Sequence, residues 1–294
     1  MQVSPECRLC LLRLIDQATE LATEDALRRD LARRAAQLIM DDHFGTGMAP
    51  ARIATRFHEE IKRATGNPDP FLPLKRREMA FSRKMAEGMG ILGRTLAPRP
   101  AALVALAGNA FDFFRELDVV RMELEREVIP AVDDLDEALG GLSAGDSVLY
   151  LADNAGEQFF DAPLLAGLVA MGCRVTYAVK ARPVQNDLCM ADVVEGLPPA
   201  GVELLSTGGA AVGMDLASSS DVFRARLAEK TSLVIAKGMG HYETAEELPA
   251  GRVLLLLKAK CQVVAQGLGV ARDSFVARLL PAPQRAAVHS ARPR

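Results

Sequence analysis

The hydrophobic pattern of this 294-residue chain changes near residue 140. Before that point, segments such as residues 25–44 and 51–66 place apolar residues three and four positions apart, with charged residues on the other side. This spacing is typical of amphipathic helices, and glycine- and proline-rich stretches separate the segments. Residues 1–140 are therefore predicted to form a helical N-terminal subdomain.

Five short apolar runs follow residue 140, at residues 147–152, 174–179, 201–206, 232–236 and 252–257. Such nearly continuous hydrophobicity is typical of strands that are covered on both faces, and therefore of a parallel α/β sheet. We predict an α/β domain over residues 141–280. Residues 281–294 are rich in proline, alanine and arginine and are predicted to form a flexible C-terminal tail.

Composition and charge narrow the classes of partner. The chain is 49% hydrophobic and 25% charged, so it can bury a core, and its net charge is −3. Nucleic acids and anionic membranes attract bulk positive charge, so neither is expected as a partner. The first residues lack a basic stretch followed by an apolar one, and no apolar run reaches the roughly 20 residues of a membrane span, so a cytoplasmic location is expected. Five scattered cysteines suit reduced thiols better than a disulfide framework.

Polar residues follow the predicted strands, at the carboxyl ends where ligands bind in parallel α/β sheets. Asp153 and Asn154 follow the first strand, and Asp187 lies in the segment after the second. Oxygen ligands from two adjacent loops suit a hard divalent cation, such as Mg²⁺ or Mn²⁺, that keeps water and substrate in its remaining positions. These three residues are the predicted metal ligands.

The other strand ends carry glycines and lysines. Backbone N–H groups can approach an anion closely at glycine, and lysines supply the countercharge. A metal ion beside such groups points to a phosphate. The residues concerned are Gly208, Gly209, Gly238 and Gly240 for the backbone contacts, and Lys237, Lys258 and Lys260 for the charge.

Each of these features also has a purely structural explanation. Asp153 alone would most often be a helix N-cap, the 206–209 stretch alone a turn, and Lys237 alone a solvated strand end. Their coincidence at consecutive strand ends favours a binding site. Among competing motifs, no G-x-G-x-x-G loop, Walker G-x-x-x-x-G-K-[ST] loop or G-x-S-x-G nucleophile elbow occurs.

Eight short motifs occur in order over roughly the first 270 residues: ECRLC (6–10), TGNPDPFLPLK (65–75), AGNAFDF (107–113), DNAGEQFFD (153–161), RPVQND (182–187), STG (206–208), KGMGHYE (237–243) and LLKAKCQVVAQGLGV (256–270). In these residues the chain resembles the damage-control phosphatase family, also catalogued as domain of unknown function 89. It is most similar to the small stand-alone prokaryotic members, which carry an N-terminal C-x-x-C. The combination of DNAGE, ND and KG-x-G-x-YE is more specific than any single motif.

The resemblance implies a three-layer α/β/α domain with a mainly parallel sheet and a helical N-terminal subdomain. It also implies a metal-dependent phosphatase that acts on small phosphorylated metabolites, with one divalent ion (Mg²⁺, Mn²⁺, Co²⁺ or Ni²⁺) on Asp153, Asn154 and Asp187. Substrate contacts carry over to Met239, Gly240, His241, Tyr242 and Glu243 and to the pair Lys258 and Lys260, and neighbouring strand ends add Ser206, Thr207, Gly208, Lys237 and Gly238.

Two positions depart from the family pattern. His241 stands where relatives tend to have asparagine, and Gln185 stands where an aliphatic residue is usual. These departures concern the identity of the substrate more than the type of reaction. Asn109 and Asp112, on a helix of the N-terminal subdomain, are further candidates for substrate contact, and hydrogen bonding between helices is the alternative for both.

The pair Cys7 and Cys10 is spaced like half of a zinc site, but no second half follows in the sequence. Buried packing at the start of a helix and a metal or redox role both stay open.

The sequence leads to one mechanism and two alternatives. A divalent ion would polarise the substrate phosphate and orient water for in-line attack. Lys258 or Lys260 would stabilise the charge on the phosphate oxygens, and Glu157 and His241 are candidates for proton transfer. The alternatives are a noncatalytic module that binds a phosphorylated metabolite and a group-transfer enzyme of methyltransferase type, against which the missing glycine-rich loop argues. The sequence predicts neither the ester nor the oligomeric state.

Overall fold

The computed structural model describes residues 1, 3–110, 117–124, 126–229, 231–249 and 252–280, without the side chains of residues 117, 123 and 124. Asp112 and the tail predicted over residues 281–294 therefore lie outside the described residues. Within the described ranges, no helix combines the length and apolar character that crossing a bilayer requires.

Helices make up most of the described chain up to residue 124: α1 (Pro5–Ala22), α2 (Ala26–His43), α3 (Pro50–Thr65), α4 (Leu72–Gly88), α5 (Pro98–Gly108) and α6 (Leu117–Leu124). Local signals set their ends. The Asp25 side chain accepts hydrogen bonds from the N–H groups of Leu27 and Arg28 at the start of α2. Gly66, with a φ of +72°, ends α3 because glycine adopts this left-handed conformation without strain. The first three helices share one apolar core.

A seven-stranded sheet follows in the described chain, formed by β1 (Val132–Asp133), β2 (Ser147–Leu151), β3 (Arg174–Val179), β4 (Val202–Ser206), β5 (Leu233–Lys237), β6 (Val253–Lys258) and β7 (Phe275–Leu280). The strand order is β1-β7-β6-β5-β2-β3-β4. Neighbouring strands are parallel except β6 and β7, which are antiparallel. The carboxyl ends of β2 to β6 therefore lie at one edge of the sheet.

Helices cover both faces of the sheet; those after β1 are α7 (Leu135–Leu139), α8 (Gln158–Ala170), α9 (Asp221–Ala228), α10 (Gly238–Glu243) and α11 (Gln262–Leu268). One face packs against α5, α7 and α8 through a core that includes Leu106, Leu135 and Leu164. The other face packs against α9 and α11 around Phe223 and Leu268. The central strands are buried on both sides, which explains their continuous hydrophobicity.

The predicted three-layer α/β/α class with a mainly parallel sheet is confirmed, and the five predicted strands are β2 to β6. β1 and β7 are not among the strands predicted from the sequence. With two residues, β1 is too short to show a period, and β7 carries Arg278 inside its apolar run. The division at residue 140 stays a prediction about domains, but β1 and α7 precede it and already belong to the sheet layers.

Replacing Gly108 by alanine should destabilise the packing of α5 on α8. A Cβ at this position would lie 2.7 Å from the Phe160 Cβ, so the two helices would have to separate. We expect a loss of about 1–3 kcal/mol in the free energy of unfolding, measured by urea titration. Gly88→Ala is the matched control, because a Cβ there meets nothing within 4 Å and should be neutral or stabilising. Equal stability of both variants would contradict the tight helix contact.

Candidate active site

The centre of the site lies between β2 and β5. From β2 the chain proceeds to β3 and β4 on one side, whereas β5 and β6 lie on the other. The crevice at such a switch point is where ligands bind in open parallel sheets. Asp153 and Asn154 follow β2 there, and Gly238 follows β5.

Gly238 leaves space for the carboxylate of Asp153. Its φ is +80°, and a Cβ built on it would lie 1.9 Å from Asp153 Oδ2. No other residue fits between the backbone of α10 and this carboxylate without displacing one of them. The position of Asp153, in the loop after the neighbouring strand, therefore requires the glycine of the KGMG motif.

The loop after β3 brings Asp187 beside Asp153 and Asn154. Asn154 and Asp187 form an isolated antiparallel β-bridge. The N–H of Leu188 donates to the carbonyl of Asp153 at 2.7 Å, and the N–H of Ala155 donates to the carbonyl of Asn186 at 2.8 Å. The backbone therefore brings together the three residues that the sequence analysis predicted as metal ligands.

Asp187 is buried and Asp153 is partly buried, and the two carboxylates repel each other. Burial raises the pKa of Asp153 well above its ordinary value, and the charges of Glu157 and Asp187 raise it further. Burial likewise raises the pKa of Asp187 to about 6, although Lys180, 3.7 Å away, opposes the shift. A divalent cation would relieve this crowding, so the chemistry of the two acids and the amide fits a hard metal ion.

Within the described residues, no group of three or more His, Cys, Asp or Glu side chains is placed to hold a metal ion. The predicted set has two such residues and an asparagine, so it depends on the amide as third ligand. Water and substrate would fill the remaining positions of such an ion.

Beneath these residues lies a buried group that we call the Lys237 network, formed by Lys237, Glu157, Asp161, Tyr150 and Tyr177. The Lys237 ammonium group lies 2.7 Å from an oxygen of each carboxylate, and all three charged side chains are fully buried. Asp161 also accepts hydrogen bonds from Tyr150 at 2.6 Å and Tyr177 at 2.9 Å. Burial alone would lower the pKa of Lys237, but Asp161 and Glu157 outweigh it and keep the lysine charged.

The Lys237 network orients two asparagines. Glu157 accepts hydrogen bonds from the amide nitrogens of Asn154 at 2.6 Å and Asn109 at 2.8 Å. Because the amide nitrogen of Asn154 bonds to Glu157, its side-chain oxygen is not used in this contact and can serve as a metal ligand. Asn109 also donates to Asp153 at 2.9 Å and accepts from the N–H of Lys258 at 2.9 Å. The prediction that Asn109 reaches the site from the helical part is therefore consistent with its position.

The lysines after β6 differ in their surroundings. Lys258 is buried, and its Nζ lies 5.3 Å from the centroid of the Phe275 ring and 3.9 Å from Asp273 Oδ1, both toward β7. Lys260 is partly exposed, and its charge lowers the pKa of Asp153 against the effect of burial. Of the two lysines, Lys260 therefore has the stronger electrostatic effect on the predicted metal ligand Asp153.

His241 is buried on α10, and its Nδ1 lies 2.7 Å from the carbonyl of Lys237. Burial lowers the pKa of His241 to about 3, with a smaller effect of the Lys180 charge. The ring is therefore neutral at physiological pH, which makes it a weak base.

The remaining residues of α10 have mixed surroundings. Met239 and Tyr242 pack against the apolar core. The Glu243 carboxylate accepts a hydrogen bond from the N–H of Ala51 at 2.9 Å, and burial raises its pKa to about 7. Gly240 contacts Gly213, where a Cβ would come within 2.2 Å of the Gly240 carbonyl oxygen. Residues 239–243, which are predicted to bind substrate, therefore also make packing and hydrogen-bond contacts within the protein.

The turn after β4 contains N–H groups that already have protein acceptors. Thr207 donates to the carbonyl of Val179 at 2.8 Å, and Gly208 donates to the Ser206 hydroxyl at 3.1 Å. A Cβ on Gly208 would approach the Ser220 nitrogen to 2.4 Å, so this glycine serves close packing. These contacts favour the turn interpretation for this motif over an anion cradle.

Sequence reasoning missed Lys180 and the acceptor Asp161. Lys180 follows β3, is buried, and donates to the carbonyl of Gly213 at 2.5 Å. Its position at a strand end, like those of Lys237 and Lys258, was the available signal. Asp161 stood in the quoted DNAGEQFFD motif, but no pattern indicated that it would face a lysine from another strand.

The two N-terminal cysteines have different surroundings. Cys7 is buried in the first turn of α1, where its sulfur accepts from the N–H of Ser4 at 3.5 Å, and Cys10 is exposed. Packing at the helix start accounts for Cys7.

Comparison with known proteins identifies relatives over most of the chain. A family model described as the damage-control phosphatase ARMT1-like domain matches residues 3–276. A damage-control phosphatase of Pyrococcus horikoshii is 32% identical over 290 residues, which covers 94% of this chain and 97% of the relative. A damage-control phosphatase of Archaeoglobus fulgidus is 30% identical over 297 residues, which covers 95% of this chain and 100% of the relative.

A solved structure agrees with these relatives. The crystal structure of a DUF89 family protein from Pyrococcus horikoshii superposes with a TM-score of 0.85 at 29% identity. The superposition covers 95% of this chain and 99% of that one, so the whole architecture is shared, including the helical N-terminal part.

Replacing Lys237 by methionine should strongly destabilise the protein. The change leaves two buried carboxylates without their cation, and losing one partner of a buried ion pair costs about 3–5 kcal/mol. Urea unfolding at neutral pH, followed by circular dichroism, measures the loss. Lys84→Met, on an exposed position of α4, is the control and should change stability by less than about 0.5 kcal/mol. An unchanged midpoint for Lys237→Met would contradict the buried ion pairs.

Proposed function

We propose that this chain, which belongs to the damage-control phosphatase family, is a metal-dependent phosphatase that hydrolyses phosphomonoesters of small metabolites, such as sugar phosphates. The observation that carries the proposal is the β-bridge between Asn154 and Asp187, which joins the loops after β2 and β3. It supports a single site made of residues that lie far apart in the sequence.

Asp153, Asn154 and Asp187 would hold one divalent ion, Mg²⁺, Mn²⁺, Co²⁺ or Ni²⁺. When bound, such an ion polarises a phosphoryl oxygen and lowers the pKa of a water molecule. The chain's own contribution is to bury the carboxylate of Asp187 and to fix the buried Asn154 amide through Glu157. Fixed ligands lose little freedom on binding, which favours a defined geometry.

The positive charges would bind the phosphate of the substrate. Lys260 is partly exposed and acts electrostatically on Asp153, so we assign the phosphate contact to it rather than to Lys258. The first N–H groups of α10, at Gly238, Met239 and Gly240, are proposed as additional donors to the phosphate oxygens. We do not extend this role to Thr207 and Gly208, whose N–H groups have protein acceptors.

The surroundings of Glu157 and His241 favour different roles for these two side chains. Glu157 is held by Lys237 and two asparagines, which favours a positioning role over proton transfer. His241 is neutral at physiological pH and can hydrogen bond to substrate or water without carrying charge. We therefore propose that His241 orients the ester and that Glu157 orients Asn154.

The proposal is tested by phosphate release from p-nitrophenyl phosphate, followed by a panel of sugar phosphates, with each of the four metals. Chelation should abolish turnover, and added metal should restore it. Asp153→Asn and Asp187→Asn should each lower kcat/KM by about a hundredfold or more, because each replaces a charged carboxylate ligand by a weaker, neutral amide. Asp221→Asn, at a carboxylate that is 93% exposed on α9, is the control and should retain full activity.

Two outcomes would reject the proposal. Equal rates for wild type and Asp153→Asn would exclude the site as the centre of catalysis. Saturable binding of phosphorylated metabolites without turnover under any metal would identify a noncatalytic binding module instead.

Gly238→Ala should impair metal binding more than folding. The new Cβ would displace the carboxylate of Asp153, so we expect the Mn²⁺ dissociation constant, measured by calorimetry, to rise about tenfold or more. Gly269→Ala is the matched control: Gly269 has a similar φ of +70°, but its Cβ would meet nothing within 4 Å. Equal Mn²⁺ affinities for the two variants would show that the contact with Asp153 is unimportant.

A further inference from the structure

Gln185 has a backbone conformation that residues other than glycine rarely adopt. Its φ is +46°, in the left-handed region, and the residue is 9% exposed. A residue with a Cβ stays in this region only where surrounding contacts hold it there. Because Gln185 precedes Asp187 by two residues, its φ sets the direction in which the chain approaches the proposed metal ligand.

A histidine of the helical part holds the Gln185 side chain. The amide nitrogen of Gln185 lies 3.1 Å from Nε2 of His58 on α3. An amide nitrogen only donates, so Nε2 must accept and the ring proton lies on Nδ1. Burial lowers the pKa of His58 to about 3, so the ring stays neutral and keeps this acceptor. The Phe57 and Phe71 rings pack against the imidazole, with centroids 4.8 Å and 5.6 Å away.

This contact belongs to a row of contacts along one side of α3. Four residues of α3 take part, spaced four, three and four positions apart, so they lie on the same side of the helix. They are Ala51, Thr55, His58 and Lys62. Their partners lie in the loops after β3 and β4 and at the end of α10. The other contacts are Ala51 N–H to the Glu243 carboxylate at 2.9 Å, Val212 N–H to the Thr55 hydroxyl at 2.9 Å, and the Lys62 ammonium to the Pro183 carbonyl at 2.9 Å.

The loop that Gln185 belongs to connects directly to the other ligands. The N–H of Asp187 donates to the carbonyl of Val184 at 3.1 Å, which closes a turn around Gln185. The next residues bond to the loop after β2, through Ala155 N–H and the Asp153 carbonyl. A change in the Gln185 backbone would therefore move Asp187 relative to Asp153.

From this geometry we infer that His58 is a positioning residue for Asp187, acting through Gln185. The helical part thereby fixes the distance between the two carboxylates of the metal site. The inference rests on the proposed function, because Asp187 needs a fixed position only if it binds an ion together with Asp153.

The test compares the Mn²⁺ dissociation constants of wild type, His58→Leu, Gln185→Leu and the double variant, measured by calorimetry on the full chain. Each single variant should bind Mn²⁺ about tenfold more weakly. The double variant should lose no more than the singles, because both remove the same contact. Ile61→Ala, a fully buried truncation elsewhere in α3, controls for destabilisation and should lower the melting temperature without weakening Mn²⁺ binding.

A second readout does not depend on metal. In the metal-free protein, the amide hydrogens of Asp187, Leu188 and Ala155 should exchange faster in His58→Leu than in Ile61→Ala. Mn²⁺ affinity within twofold of wild type in both single variants, or unchanged exchange at these amides, overturns the inference alone. If wild type itself binds no divalent metal, the proposed function is wrong and the inference fails with it.

Discussion

The buried ammonium group of Lys237 is the interaction on which the site depends. It lies at the end of a central strand, and its two carboxylate partners belong to the turn and helix that follow the neighbouring strand. Buried charges are tolerated only when they are paired and hydrogen bonded. Here Asp161 accepts hydrogen bonds from two tyrosines, and Oε1 of Glu157 accepts from two asparagines while Oε2 faces Lys237, so each charge restricts the position of several other groups. The charged groups of the Lys237 network lose their hydration, but their positions are fixed by one another.

That fixed geometry is what a metal site of this composition requires. An asparagine is a weaker ligand than a carboxylate, so its oxygen must be presented in the correct orientation, and the bond from Asn154 to Glu157 provides it. Burial raises the pKa of both Asp153 and Asp187, and the charge of Glu157 adds to each shift. The Lys237 network neutralises the carboxylates beneath the site while leaving the charge of the two proposed ligands for a cation.

The sequence predicted the residues at the carboxyl ends of the strands better than the Lys237 network beneath them. Five apolar runs determine where strands end, and parallel strands place those ends together, so Asp153, Asn154 and Asp187 could be grouped without coordinates. The buried pairing of Lys237 could not be predicted, because a lysine at a strand end has the same local pattern whether it is solvated or paired. Lys180 shares this ambiguity. Asn109 lies just after α5 and more than forty residues before Asp153, and hydrophobic periodicity does not reveal contacts over such a separation.

The position of Asn109 and the contacts of α3 bear on how the two parts of the chain are related. Residues before position 140 contribute a hydrogen bond to Asp153, hold the loop of Asp187 and contact the end of α10. The sheet alone would supply the candidate ligands, but it would leave both Asp153 and Gln185 without the partners that set their conformations. A division of the chain near residue 140 would therefore pass through the site itself. The helical part is better regarded as one wall of the site than as an independent attachment.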